Sequence, residues 1–150
     1  MSGEQTILVA DDDANDSFLL KHAFSMAHIN SHLDFVGDGE EAIRYLRNRH
    51  DRKQSLPCLL LLDLKMPRIN GFEVLEWIRR QPGLKRLPIN VLTSSDAPQD
   101  INRAYDLGAN SYLIKPFSNE ALIDLVKSLH DYWMNINRCP DETLASLQPA

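Results

Sequence analysis

The sequence predicts an α/β fold: a doubly wound, five-stranded parallel sheet flanked by five helices. Three observations predict it. Short apolar runs recur along the chain, and each is followed by a stretch whose apolar residues fall at helical spacing. The run Cys58-Leu59-Leu60-Leu61-Leu62 does not alternate with polar residues, which suits a strand covered on both faces. The runs also end on polar residues, and open sheets of this kind bind ligands beyond the carboxyl ends of their strands.

The elements follow in order. Ile7-Leu8-Val9-Ala10 is the first strand and stops at Asp11, Asp12 and Asp13. A helix follows over residues 16–27, with Leu19, Ala23 and Met26 on one face. Leu33-Asp34-Phe35-Val36 is a second, weaker strand, punctuated by Gly37-Asp38-Gly39. Residues 40–49 carry Ala42, Ile43 and Leu46 at helical spacing, and a long polar connection covers residues 50–57. The third strand, residues 58–62, ends at Asp63. Residues 71–80 form a helix with Val74, Leu75 and Ile78 inward, stopped by Gln81-Pro82-Gly83. Residues 89–92 form the fourth strand. Pro98 suits the first turn of the next helix, which Gly108 ends. Residues 111–114 form the fifth strand. Ser118 caps a last helix that runs to about residue 137, with Leu122, Leu125, Val126, Leu129, Trp133 and Ile136 on one stripe. That helix would extend about 30 Å.

A chain of 150 residues with 43% hydrophobic content is expected to form one compact domain. We place it at residues 1–137, followed by a tail at 138–150 that Pro140, Pro149 and its Ser and Gln residues mark as flexible. A net charge of −5 argues against a nucleic-acid surface. Arg44, Arg47, Arg49, Arg52 and Lys53 read as a solvated helix end and loop. The polar N-terminus lacks a signal-peptide core, and no apolar run is long enough to span a membrane, so a cytoplasmic location is expected. Cys58 and Cys139 lack metal-like spacing and read as reduced thiols. The five histidines show no pairing suggestive of zinc.

Strand one ends at the three aspartates, strand three at Asp63, strand four at Thr93 and Ser94, and strand five at Lys115. Several carboxylates in one concavity repel, so they either take up protons or bind a cation. Hard oxygen ligands suit Mg2+, with Mn2+ as the other candidate. Asp63 then reads as a carboxylate nucleophile that forms an acyl phosphate. Lys115 would supply positive charge to a phosphoryl oxygen, and the Thr93 hydroxyl a hydrogen bond to another. Each residue alone has a plainer reading: Asp11, Asp12 and Asp13 as helix caps, Asp63 as a loop residue, Thr93 as a strand end, Lys115 as a surface lysine. Their joint placement at successive strand ends carries the functional reading. A phosphatase working through an aspartyl phosphate usually has a second acid two residues on, where this chain has Lys65. A flavodoxin-like electron carrier needs a phosphate-cradling loop after strand one, and three aspartates there would repel the phosphate.

The sequence resembles the receiver domains of two-component response regulators. The resemblance is carried by Ile7-Leu8-Val9-Ala10-Asp11-Asp12-Asp13, Leu61-Leu62-Asp63-Leu64-Lys65-Met66-Pro67, Asn70-Gly71, Val91-Leu92-Thr93-Ser94 and Tyr112-Leu113-Ile114-Lys115-Pro116-Phe117. It implies a flavodoxin-like sheet of receiver type, phosphorylation of Asp63 by a sensor histidine kinase, and a metal held by Asp11, Asp12, Asp63 and the Lys65 main-chain carbonyl. It makes Thr93 and Lys115 the residues that assist phosphoryl transfer. Asp13 is a third acid beyond the family's pair. The intact set Asp12, Asp63, Thr93 and Lys115 argues against a receiver that never gains phosphate. Leu84-Lys85-Arg86-Leu87-Pro88, Ala104-Tyr105-Asp106-Leu107 and Asp131-Tyr132-Trp133 look like the stand-alone regulators of bacterial phytochrome kinases.

By that resemblance the protein is a phosphoacceptor switch or phosphorelay intermediate, not an enzyme acting on other molecules. Thr93 would shift toward the phosphoryl group and let Tyr112 turn inward, changing the surface of helix 4, strand 5 and helix 5. Lys65 and Ser95 would tune access of water to the acyl phosphate. A symmetric homodimer through helix 4, strand 5 and helix 5, with Tyr132, Trp133 and Ile136 near the end of the last helix, is expected. The 13 residues after 137 leave no room for an output domain, so output would pass through noncovalent partners.

Overall fold

The apolar runs become five strands: β1 (Thr6–Ala10), β2 (His32–Val36), β3 (Leu59–Leu62), β4 (Ile89–Thr93) and β5 (Ser111–Ile114). Between and after them lie α1 (Ala14–Met26), α2 (Gly39–Asp51), α3 (Gly71–Arg80), α4 (Pro98–Asp106) and α5 (Asn119–His130). The computed structural model describes residues 5–140. The strands form one sheet in the order β2-β1-β3-β4-β5, and all pairings are parallel. The chain winds outward from β1 to β2, then crosses back to β3. The strand order therefore reverses between β1 and β3, the place where such sheets open a crevice at their carboxyl ends.

Both faces of the sheet are covered, which explains the unalternated strands. Leu8, Ala10, Leu60, Leu62 and Val91 pack against Ala42, Leu46, Val74, Leu75, Ile78 and Ala104 from α2, α3 and α4. Ile7, Val9, Leu59, Leu61 and Leu92 pack against Leu20, Ala23, Phe24, Val126 and Leu129 from α1 and α5.

Two helices differ from the sequence reading. On α1 the buried residues are Leu20, Ala23 and Phe24, while Met26 is exposed. The stripe is set by which side chains meet α5 and the sheet, and Leu20 with Phe24 is an equally good helical pair. The last helix does not stay α-helical to residue 137. It is α-helical to His130 and continues as a π-helical turn over Asp131–Ile136. The wider turn rotates the stripe, so Met134 enters the core and Ile136 stands exposed. Of the tail assigned to 138–150, residues 141–150 lie outside the described residues.

One contact braces each edge of the sheet. A Cβ on Gly71 would lie 2.2 Å from the Asp63 carbonyl oxygen, so only glycine lets α3 begin this close to the end of β3. Arg79, at the other end of α3, donates to the carbonyls of Gly108 (2.9 Å) and Leu87 (2.8 Å) and to Asn110 Oδ1 (3.0 Å). It thereby ties α3 to the approaches of β4 and β5.

Candidate phosphoacceptor site

Asp11 and Asp63 each stand one residue beyond a strand end, and their strands are neighbours in register, with Ala10 opposite Leu62. The Asp63 amide donates to the Ala10 carbonyl at 3.0 Å, which locks the two ends side by side. The Lys115 amide donates to the Thr93 carbonyl at 2.8 Å, extending the β4–β5 ladder by one step. From there the lysine side chain reaches across the sheet edge. Its Nζ donates to Asp11 Oδ2 at 2.7 Å, Asp16 Oδ2 at 2.8 Å and Asp63 Oδ2 at 3.0 Å. The aspartate, aspartate and lysine picked out at three strand ends are thus one cluster. Thr93 is buried at the end of β4, beside this cluster.

Asp13 has a separate job. Its Oδ1 accepts from the amides of Asn15 (2.9 Å) and Asp16 (3.1 Å), so it caps α1 and stands outside the oxygen group of Asp11, Asp12 and Asp63. Asp12 is exposed at the pocket rim. The Lys65 side chain is exposed, and its amide makes a long 3.4 Å contact with Asp63 Oδ1. The Ser95 hydroxyl donates to Asp100 Oδ2 at 2.6 Å, inside the first turn of α4. Tyr112 is half-buried and donates its hydroxyl to the Ser95 carbonyl at 2.9 Å. That bond already latches β5 to the β4–α4 loop.

Sequence reasoning missed Asp16, which meets Lys115 as closely as Asp11 does. Its position in the first turn of a capped helix reads as an ordinary dipole-compensating acid. It also missed the strap between Asp38 and Arg68. Asp38 is buried, caps α2 through the Glu41 amide at 2.8 Å, and holds Arg68 Nη1 at 2.6 Å. The Glu41 amide and then Arg68 keep its carboxyl below the usual range. Arg68 has φ of 68°, so the loop after Asp63 is bent left-handed and pinned from the β2–α2 turn. Away from this edge, Cys139 sets its thiol against the Cys58 carbonyl at 3.7 Å, so cysteines distant in sequence are close in space.

The electrostatics are lopsided. Asp11, Asp12, Asp16 and Asp63 bring four carboxylates, and Lys115 one ammonium, to a single pocket. Side-chain exposures of 7% for Asp11, 9% for Asp63 and 15% for Lys115 leave little water to screen them. Burial pushes the Asp11 carboxyl above its usual value, and Lys115 only partly offsets this. Burial would depress the Lys115 ammonium, but Asp11 and Asp16 carry it above its ordinary value. The lysine is therefore a fixed positive charge. It leaves the pocket with excess negative charge. Asp11, Asp12 and Asp63 can each offer an oxygen, all within 4.8 Å of one another, and this is the only such His/Cys/Asp/Glu group among the described residues. The donor set is all oxygen, matching a hard divalent cation.

The profile of the response regulator receiver domain matches residues 7–127. The chain belongs to that family. It is 39% identical over 134 residues to the probable methanogenesis regulatory protein FilR2 of Methanothrix harundinacea, covering 89% of this chain and 86% of that protein. It is 33% identical over 137 residues to the response regulator Rcp1 of Synechocystis, covering 91% of this chain and 93% of Rcp1. The crystal structure of the phosphorylated cyanobacterial phytochrome response regulator RcpA superposes with a TM-score of 0.84 at 34% identity, covering 93% of this chain and all 100% of RcpA. Receivers are signalling switches, and the acidic cluster of this receiver is typical of them. No helix among its described residues is long and apolar enough to cross a membrane.

Because the Asp11 carboxyl is raised when folded, its contribution favours the fold below the ordinary carboxylate range and is lost as pH rises. Asp11→Asn should therefore melt a few degrees above wild type at neutral pH, with the gap closing as pH falls through that range. Added Mg2+ should stabilise wild type more than the variant. Thermal melts across pH check this; a gap that persists in acid counts against it.

Proposed function

We propose that this receiver accepts a phosphoryl group on Asp63 from a histidine kinase and uses it to change which partners it binds. The observation that carries the proposal is the Lys115 ammonium held against Asp63 and Asp11 at the carboxyl edge of β1 and β3. An Asp63 oxygen attacks the phosphorus of a phosphohistidine. The new O–P bond forms as the N–P bond breaks, and the electron pair left on the imidazole nitrogen takes a proton. Asp11, Asp12, Asp63 and the Lys65 carbonyl would hold Mg2+ or Mn2+, which when bound supplies the positive charge that lets a phosphate approach these acids. The Mn2+-bound crystal form of Rcp1, at 32% identity and a TM-score of 0.81, supports this assignment. Lys115 places its charge on a phosphoryl oxygen, and the Thr93 hydroxyl donates to another. The likeness to Rcp1 and RcpA supports a phytochrome-type kinase as donor.

The output face is α4, β5 and α5. Tyr105, Ile114 and Phe117 are exposed there, and Tyr112 bonds the loop that leads from Thr93 to α4. Movement of Thr93 toward a phosphoryl group would pull on that loop and reset the Tyr112 latch. We assign the same face to a homodimer. Tyr132 and Ile136 remain exposed beyond it, whereas Trp133 packs against the α1–α5 core and stacks edge-on with Tyr132. Trp133 therefore belongs to the fold more than to a partner.

Intact mass after incubation with a small acyl phosphate and Mg2+ should show one added phosphoryl group. The gain should vanish in Asp63→Asn and when Mg2+ is chelated. A folded wild type that gains nothing from either the small donor or a phosphorylated histidine kinase overturns the proposal. Light scattering should give a larger mass for phosphorylated wild type than for phosphorylated Tyr112→Ala. Equal masses would remove Tyr112 from the coupling.

A further inference from the structure

Lys115 Nζ has three N–H donors and no capacity to accept, and all three are committed to Asp11, Asp16 and Asp63. Two of those acceptors have other duties. Asp11 and Asp63 belong to the oxygen cluster suited to a cation, and Asp63 is the proposed nucleophile. Asp16 lies outside that cluster. Its main chain is fixed independently, since its amide donates to the Asp13 cap at 3.1 Å. Its side chain is 35% exposed against 7% for Asp11, so it approaches the ammonium from the solvent side of the pocket.

We infer that Asp16 is a positioning residue for Lys115: it anchors the ammonium when Asp11 and Asp63 are engaged elsewhere. The inference rests on the phosphoacceptor reading given above. With a cation on Asp11 and Asp63, those oxygens hold the lysine more weakly, because their charge is shared. The Asp16 ion pair is untouched by that event. It keeps Nζ at the sheet edge, within reach of an arriving phosphoryl oxygen, instead of letting the chain swing to water. The pair spans the first turn of α1 and the end of β5, so it also fixes the two walls of the pocket relative to each other. The plainer role, an acid that complements the α1 dipole, requires no contact with Lys115.

Two measurements separate these roles. The first is labelling of Lys115 by an amine-reactive ester at saturating Mn2+, resolved by peptide mass. Asp16→Ala should label about two- to fivefold faster than wild type, the loss of one partly exposed ion pair. Asp16→Asn keeps an acceptor oxygen and should fall between. Equal rates in wild type and Asp16→Ala overturn the inference. The second is the rate of phosphorylation by a small acyl phosphate. Asp16→Ala should slow it about fivefold in the wild-type background and leave it unchanged in a Lys115→Ala background. An equal slowing in both backgrounds shows that Asp16 acts without Lys115 and overturns the inference. If wild type takes no phosphoryl group from any donor, the functional proposal fails, and the labelling result still decides the role of Asp16.

Discussion

Like charges confined at the carboxyl edge of β1 and β3 are the constraint on which the rest of this structure depends. The sheet brings Asp11 and Asp63 into adjacent register, and among the described residues Lys115 is the cation paired with them and with Asp16. A pocket of that charge is poorly satisfied by itself. It favours a proton or a divalent cation, and it repels phosphate until one is present. In the proposed function, cation binding and phosphoryl acceptance are linked by electrostatics before any conformational change is considered.

The fold serves this pocket by bracing its rim. Gly71 admits α3 against Asp63, and the Asn70–Glu73 capping box starts that helix cleanly. The Asp38–Arg68 strap pins the loop after Asp63, which carries Lys65. At the opposite edge of the sheet, Arg79 ties the end of α3 to the segments that lead into β4 and β5. Rigid surroundings keep the acids together against their repulsion. The Tyr112–Ser95 bond, by contrast, is a single contact between a strand and a loop.

Much of this was legible in the sequence because the signals are local. Unbroken apolar runs such as the one before Asp63 mark buried parallel strands, and those of β1 and β3 stop at Asp11 and Asp63, which the sheet brings together at Lys115. What lay hidden is set by tertiary geometry. Asp16 approaches Lys115 across 99 residues of chain, and nothing in its helical neighbourhood announces the contact. Asp13 looks like a pocket acid but turns back to cap α1. The buried face of α1 lies one step from the one its spacing predicts, because Leu19 and Leu20 are equally apolar and only packing against α5 and the sheet selects between them. The π-helical turn after His130 depends on where Met134 finds space in the core, which periodicity does not encode. The Arg68–Asp38 strap needs a left-handed residue in a loop, and arginine gives no hint of that conformation.

The most direct test of the central electrostatic claim is a Mn2+ titration followed by loss of the free-ion electron paramagnetic resonance signal. The account predicts a single site per chain in wild type, weakened strongly in Asp12→Asn and in Asp63→Asn. Binding that is absent from the folded wild type, or unchanged in both variants, would contradict it.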